Sequence, residues 1–118
     1  IFALTALARV SMAAGDYARA AELLSILAKN KGAGENCFRD YGYALFRVKR
    51  FEEADKVFSR MIKLKLLPGF AFYMKHYVAL EHQNPIEADR CLLKALALEP
   101  TNGVFQAART KLDTHRKK

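Results

Sequence analysis

At 118 residues, with 52% hydrophobic and 27% charged side chains, the chain is long enough for one continuous core without disulfide or metal staples and too apolar to stay disordered. Twenty Lys and Arg against 12 Asp and Glu leave a formal charge of +8, which favours acidic partners, nucleic acid or anionic surfaces and says nothing of fold. Two cysteines, Cys37 and Cys91, lie far apart and outside any Cys-x-x-Cys pair, which argues against a disulfide framework and for a reducing compartment.

The chain starts at Ile1 without an initiator Met and reads as a segment of a longer protein. Its opening, IFALTALARVSMAAG, is apolar and small-rich, but no basic residue precedes it and Arg9 interrupts it. It therefore reads as a helix over about 2–14 rather than a signal peptide. Gly15 supplies a turn residue that can take positive φ, and a second helix is predicted over about 17–30. The longest apolar run, Met61 to Leu80, holds Lys63, Lys65, Lys75 and Pro68-Gly69, so no membrane span fits there. Pro68 and Pro100 are expected to stop the helices before them. Asn84-Pro85 predicts a helix start, a capping side chain followed by a ring with preset φ. The closing NGVFQAARTKLDTHRKK predicts a last helix over about 103–116, with Val104, Ala107, Ala108 and Leu112 inward and Arg109, Lys111, Asp113 and Arg116 toward water.

The chain is also self-similar. GDYARA (Gly15 to Ala20) has a twin in KRFEEA (Lys49 to Ala54) and a third copy in NPIEA (Asn84 to Ala88). The closing alanines, Ala20, Ala54 and Ala88, stand 34 residues apart twice without a gap. Leu24, Phe58 and Leu92 follow each alanine by four residues; Leu4, Phe38 and Phe72 precede it by sixteen. Leu7 and Tyr41 form a further apolar column, and Ala8 and Gly42 a small-residue column. Gly32 and Pro100 close a repeat at one phase.

This pattern resembles the tetratricopeptide repeat family, whose period is 34 residues. The resemblance covers residues 1–34, 35–68 and 69–102, with a capping helix at about 103–116, as one domain over 1–118. It implies an all-α fold, a right-handed superhelix of three helix-turn-helix repeats plus that cap. The small columns let the helices of a pair approach closely, and Leu24, Phe58 and Leu92 fill the core between repeats. One departure stands out: His76 sits in the small-residue column and Lys75 in the apolar one before it, which predicts wider packing in the third repeat.

In this family the first helix of each repeat lines an inner groove. The matching positions are Phe2, Thr5, Ala6, Arg9, Met12 and Ala13, then Asn36, Arg39, Asp40, Tyr43, Phe46 and Arg47, then Phe70, Tyr73, Met74, Tyr77, Leu80 and Glu81, with Lys111 and His115 from the last helix. The resemblance thus implies a peptide-binding groove formed by Phe2, Arg9, Met12, Arg39, Tyr43, Phe46, Arg47, Phe70, Tyr73, Met74 and Tyr77. Aromatic and methionine side chains suit an adaptable apolar ligand, and the arginines orient acidic or carbonyl-rich groups. Some members hold a heat-shock chaperone's C-terminal carboxylate in a lysine–asparagine clamp; the matching positions here are Thr5, Arg9, Asp40, Phe70 and Met74, which keep one basic residue of it.

The expected partner is a protein or peptide segment, extended or amphipathic, with no small-molecule substrate, cofactor, metal or membrane insertion. An aromatic groove and a basic balance at this size also resemble the small bacterial type III secretion chaperones, which implies a bacterial cytoplasm. The alternative is a scaffold segment of a larger assembly protein. Open repeat ends and an apolar inner face would also support a homodimer. A nucleic-acid reading draws on RVKR (Arg47 to Arg50), RMIKLK (Arg60 to Lys65) and the tail HRKK. Those clusters fall at helix ends, where cations offset the helix dipole. An enzyme is not expected. His76 and His82 lie about 240° apart on a helix, no Gly-rich phosphate loop or nucleophile motif occurs, and both cysteines read as small buried packing residues. Glu52, Glu53 and Asp55 sit at a helix start, where negative charge is favoured without any catalytic role.

Overall fold

In a computed structural model the described residues are 2–30 and 33–116, with the side chains of Phe2, His115 and Arg116 left undescribed. They form seven helices and no strand: α1 (Phe2–Ala14), α2 (Tyr17–Ala28), α3 (Glu35–Arg47), α4 (Phe51–Lys63), α5 (Pro68–Glu81), α6 (Pro85–Leu98) and α7 (Gly103–Arg116). The chain divides into two compact units, Ile1–Leu66 and Leu67–Lys118. In the first, α2 packs against both α1 and α3, and α3 against α4; in the second, α6 packs against α5 and α7.

The 34-residue period is written into the backbone. Gly15, Lys49 and Gln83, spaced by that period, all adopt left-handed φ, at 78°, 66° and 57°. The residue after each donates back to the chain five residues earlier: Asp16 to the Ser11 carbonyl, Arg50 to Leu45 and Asn84 to Ala79, at 2.9 Å in every case. This is the hydrogen-bond closure that ends a helix through one left-handed residue. Only the first copy uses glycine. Lys49 and Gln83 accept the strain because the bonds of the turn hold them there.

The same residues then start the next helix. Asp16 accepts from the Arg19 amide at 3.3 Å and Asn84 from the Glu87 amide at 3.2 Å. Arg50 makes no side-chain cap; its guanidinium grips Glu53 through two bonds, Nε to Oε1 at 3.0 Å and Nη2 to Oε2 at 2.6 Å. Pro68 does not stop α4, as expected, but opens α5. Proline at the first helical position loses no bond, and it bars the right-handed region to Leu67, which takes φ 44° instead. α4 has already closed at Lys63 through left-handed Lys65.

The predicted columns pack as cores. Ala20, Ala54 and Ala88 are each 0% exposed, and Leu24, Phe58 and Leu92 are buried beside them. Gly42 permits a close approach: a Cβ there would stand 3.0 Å from two atoms of the Phe58 ring and nearer still to Cε1. In the second unit the Glu99 carboxylate lies over Gly69 in the first turn of α5, where a helix N-terminus favours negative charge.

Two expectations need correction. Leu7 is largely exposed rather than in a core column. In α7 the buried residues are Phe105 and Leu112, while Val104 is 58% exposed and Ala107 also faces out. The inward stripe therefore starts one residue later than predicted. Asn102 sets it by capping the Val104 and Phe105 amides at 3.0 and 3.2 Å, and the large Phe105 ring gains more from burial than Val104 would. Arg109, expected in water, is drawn in to Asp89 of α6 and bonds Asp113 at 3.3 Å.

Candidate functional site

In the first unit, Tyr43 of α3 meets Tyr17 of α2 edge to face, with ring centroids 5.8 Å apart. Arg47, one turn beyond Tyr43, donates to its hydroxyl at 3.0 Å and lies 4.7 Å over the Tyr17 ring. That bond and the two phenols raise the guanidinium pKa further above its ordinary value. The result is a half-open surface of two near-perpendicular rings and a cation. Phe46 turns the other way and packs on Phe51 across the hairpin turn, at 5.3 Å. Arg39 pairs with the neighbouring Asp40 at 3.2 Å. Met12 and Phe46 are half-buried and Arg9 exposed.

In the same unit a cavity of about 460 Å³ opens between α1, α2 and α3. Thr5, Arg9, Asn36, Cys37 and Asp40 give it polar walls, and Ala8, Leu24 and Leu27 an apolar floor. Cys37, half-buried rather than buried, has its thiol pKa raised by burial and by Asp40.

In the second unit the aromatic residues gather more densely. Tyr73 and Tyr77 share a hydroxyl–hydroxyl bond of 2.9 Å with rings nearly perpendicular. Phe105 of α7 stacks on Tyr73 at 4.9 Å. His76 lies 4.2 Å from the Tyr77 ring and holds the Tyr73 carbonyl through Nδ1. Burial and the Tyr77 bond push the Tyr73 pKa well above the phenol range. Burial lowers the pKa of His76, against the Tyr73 carbonyl, which raises it. Cys91, buried and donating to Glu87 Oε1 at 3.6 Å, is pushed up to about 11 by burial first and Glu87 second. A second cavity, about 590 Å³, lies among His76, Tyr77, Leu80, Pro85, Ala108, Lys111 and Leu112.

Of the residues expected to line a groove, the structure brings Tyr43 and Arg47 together in one unit and Tyr73 and Tyr77 in the other. Phe70 is half-buried on α5. Met74 is a correction: at 3% exposure it belongs to the core, because the helix turns it from Tyr73 and Tyr77 into the α5 packing face. The side chain of Phe2, and that of His115, lie outside the described residues. Sequence reasoning missed Tyr17 and Phe105. Tyr17 was legible as the partner, one period earlier, of Phe51; Phe105 only as the largest apolar residue of its helix.

Among the described residues no cluster of three or more His, Cys, Asp or Glu could hold a metal ion, and no helix is long and apolar enough to cross a membrane. No protein-family model matches the chain, and no curated protein does. Solved structures do. The tetratricopeptide-repeat domain of Arabidopsis OM64 superposes with a TM-score of 0.84 at 17% identity, over 96% of this chain and 93% of that one. The first such domain of Spaghetti (RPAP3), solved with the HSP90 peptide SRMEEVD, gives 0.83 at 18%, over 99% and 93%.

Proposed function

The chain has the fold of tetratricopeptide-repeat domains, and we propose that it works as a non-enzymatic protein-interaction module. It would hold an extended or amphipathic segment of a partner against the tyrosine-bearing faces of α3 and α5. The observation that carries this reading is the half-open state of Tyr43, Tyr73 and Tyr77, the last of them lining a cavity, in contrast to Phe58, which is sealed at 0% exposure. Half-buried tyrosine offers contact area and a hydroxyl at low entropy cost. The RPAP3 domain holds a peptide on the same fold, which supports the class of ligand but not its chemistry. At the clamp positions this chain has Thr5, Arg9, Asp40, Phe70 and Met74, so a free carboxylate finds one cation there and an acidic neighbour beside it. The three-repeat superhelix implied by the 34-residue period belongs to this reading, as does a chaperone role for aggregation-prone export subunits in a bacterial cytoplasm. The competing scaffold role predicts binding without protection of a partner from aggregation.

The test is anisotropy titration of labelled extended and helical peptides against wild type and a Tyr43→Ala/Tyr77→Ala variant. Losing two such anchors should weaken binding about tenfold or more with little change in the unfolding midpoint. Binding that ignores the variant but disappears with salt and with Lys63→Ala/Lys65→Ala would replace this reading with a phosphate-binding surface.

A further inference from the structure

The two cavities differ in chemistry. The second is walled by apolar groups of α5, α6 and α7, with Lys111 as the one charged residue lining it. At about 590 Å³ it has room for a bulky side chain. His76, 2% exposed, is its one buried polar residue. The contact of Nδ1 with the Tyr73 carbonyl requires an N–H, so the proton sits on Nδ1. Burial keeps the ring neutral, which leaves Nε2 as a bare acceptor. Nε2 has no protein partner among the described residues. No buried side-chain nitrogen or oxygen there is sealed without one, so Nε2 meets open space, and the open space that His76 lines is this cavity.

A ligand group that fits must be bulky and apolar, must bring one hydrogen-bond donor, and gains from a negative charge beside it. Phenylalanine and leucine bring no donor. Amide and guanidinium groups bring one but have little apolar bulk. The phenol of tyrosine donates too but leaves an acceptor to be satisfied; the indole of tryptophan is a larger apolar body whose one polar atom only donates. We propose that this cavity is a pocket for a tryptophan flanked by acidic residues. Its indole N–H donates to His76 Nε2, and a neighbouring carboxylate pairs with Lys111. The chain's charge of +8 favours the same acidic context. This inference rests on the reading of the chain as a segment-binding module.

The probe is the peptide acetyl-Glu-Glu-Trp-Glu-amide, titrated into ¹⁵N-labelled protein. Amide shifts should concentrate on α5 and α7, around His76, Tyr77, Ala108 and Lys111. The same peptide methylated at the indole nitrogen should bind about tenfold more weakly, the scale of one buried hydrogen bond lost. This comparison needs no variant. Lys111→Glu, at an exposed position, should weaken the acidic peptide and favour one with lysines in place of the glutamates. Equal binding of the methylated and unmethylated peptides would overturn the pocket, as would shifts confined to the first unit. In that last case segment binding itself would stand. If neither unit responds to this peptide or to the wider peptide panel, the module reading falls with the pocket.

Discussion

The two units solve one packing problem with opposite choices of residue. In the first, the small-residue column holds Gly42 and the core column Phe58; one period later the same columns hold His76 and Leu92. Where the helix surface is bare, the neighbouring helix sends in a large ring. Where the helix carries a ring of its own, the opposite column holds the smaller leucine. The polar content differs as well: Gly42 brings no side-chain polar atom, and His76 brings two nitrogens into a buried site. The aromatic surfaces follow suit. The first unit leaves a tyrosine–arginine platform at its edge, and the second draws its tyrosines half into a core shared with Phe105. The repeat therefore fixes which columns are buried rather than which helix supplies the bulk.

Truncating the two core residues is the coarsest way to probe this exchange. Phe58→Ala should cost about 3–5 kcal/mol and Leu92→Ala somewhat less, read from urea unfolding, since the larger ring leaves the larger cavity. A larger cost at Leu92 would mean that the second unit leans on that column more than the first does. Gly42→Ala is a finer probe. Its new methyl collides with the Phe58 ring, which is sealed on all sides, for a loss of about 1–3 kcal/mol. In a Phe58→Leu background the loss should shrink, because that pairing approaches the second unit's own. Strict additivity in the double-mutant cycle would separate the two positions and break the comparison.

The smallest effect is a pH slope. His76 has a folded pKa below its ordinary 6.5. Between the two values the unfolded chain holds a proton that the folded chain does not. Its contribution is complete above 6.5 and is lost as pH falls toward the folded value. Stability should thus decline as pH falls below about 7, and His76→Phe should flatten that decline. Matching slopes in wild type and variant would show that burial does not act on this ring.

The period, the number of helices and the bounds of α1, α2 and α7 were legible in the chain, because caps, turns and apolar columns are local signals. GDYARA was readable as one tooth of a repeat since its alanine and the apolar residue four places on return after 34 positions. Position along a helix also marked Tyr43 with Arg47, and Tyr73 with Tyr77, as neighbours, at four-residue spacing. Met74 was misplaced by the same logic. A helix face has no sharp edge in sequence, and a residue one position from a tyrosine can point into the core.

What required tertiary structure was the choice between near-equivalent faces and the space left between helices. The phase of α7 turned on whether Val104 or Phe105 entered the core; the Asn102 cap sets the start of the helix, and Tyr73, more than thirty residues away, gives the Phe105 ring its stacking partner. The tautomer of His76 depends on a carbonyl that only the folded helix places, and the cavity it lines depends on three helices at once. Periodicity specifies which residues share a side. The volumes that meet there are set by contacts between elements, and no local pattern encodes them.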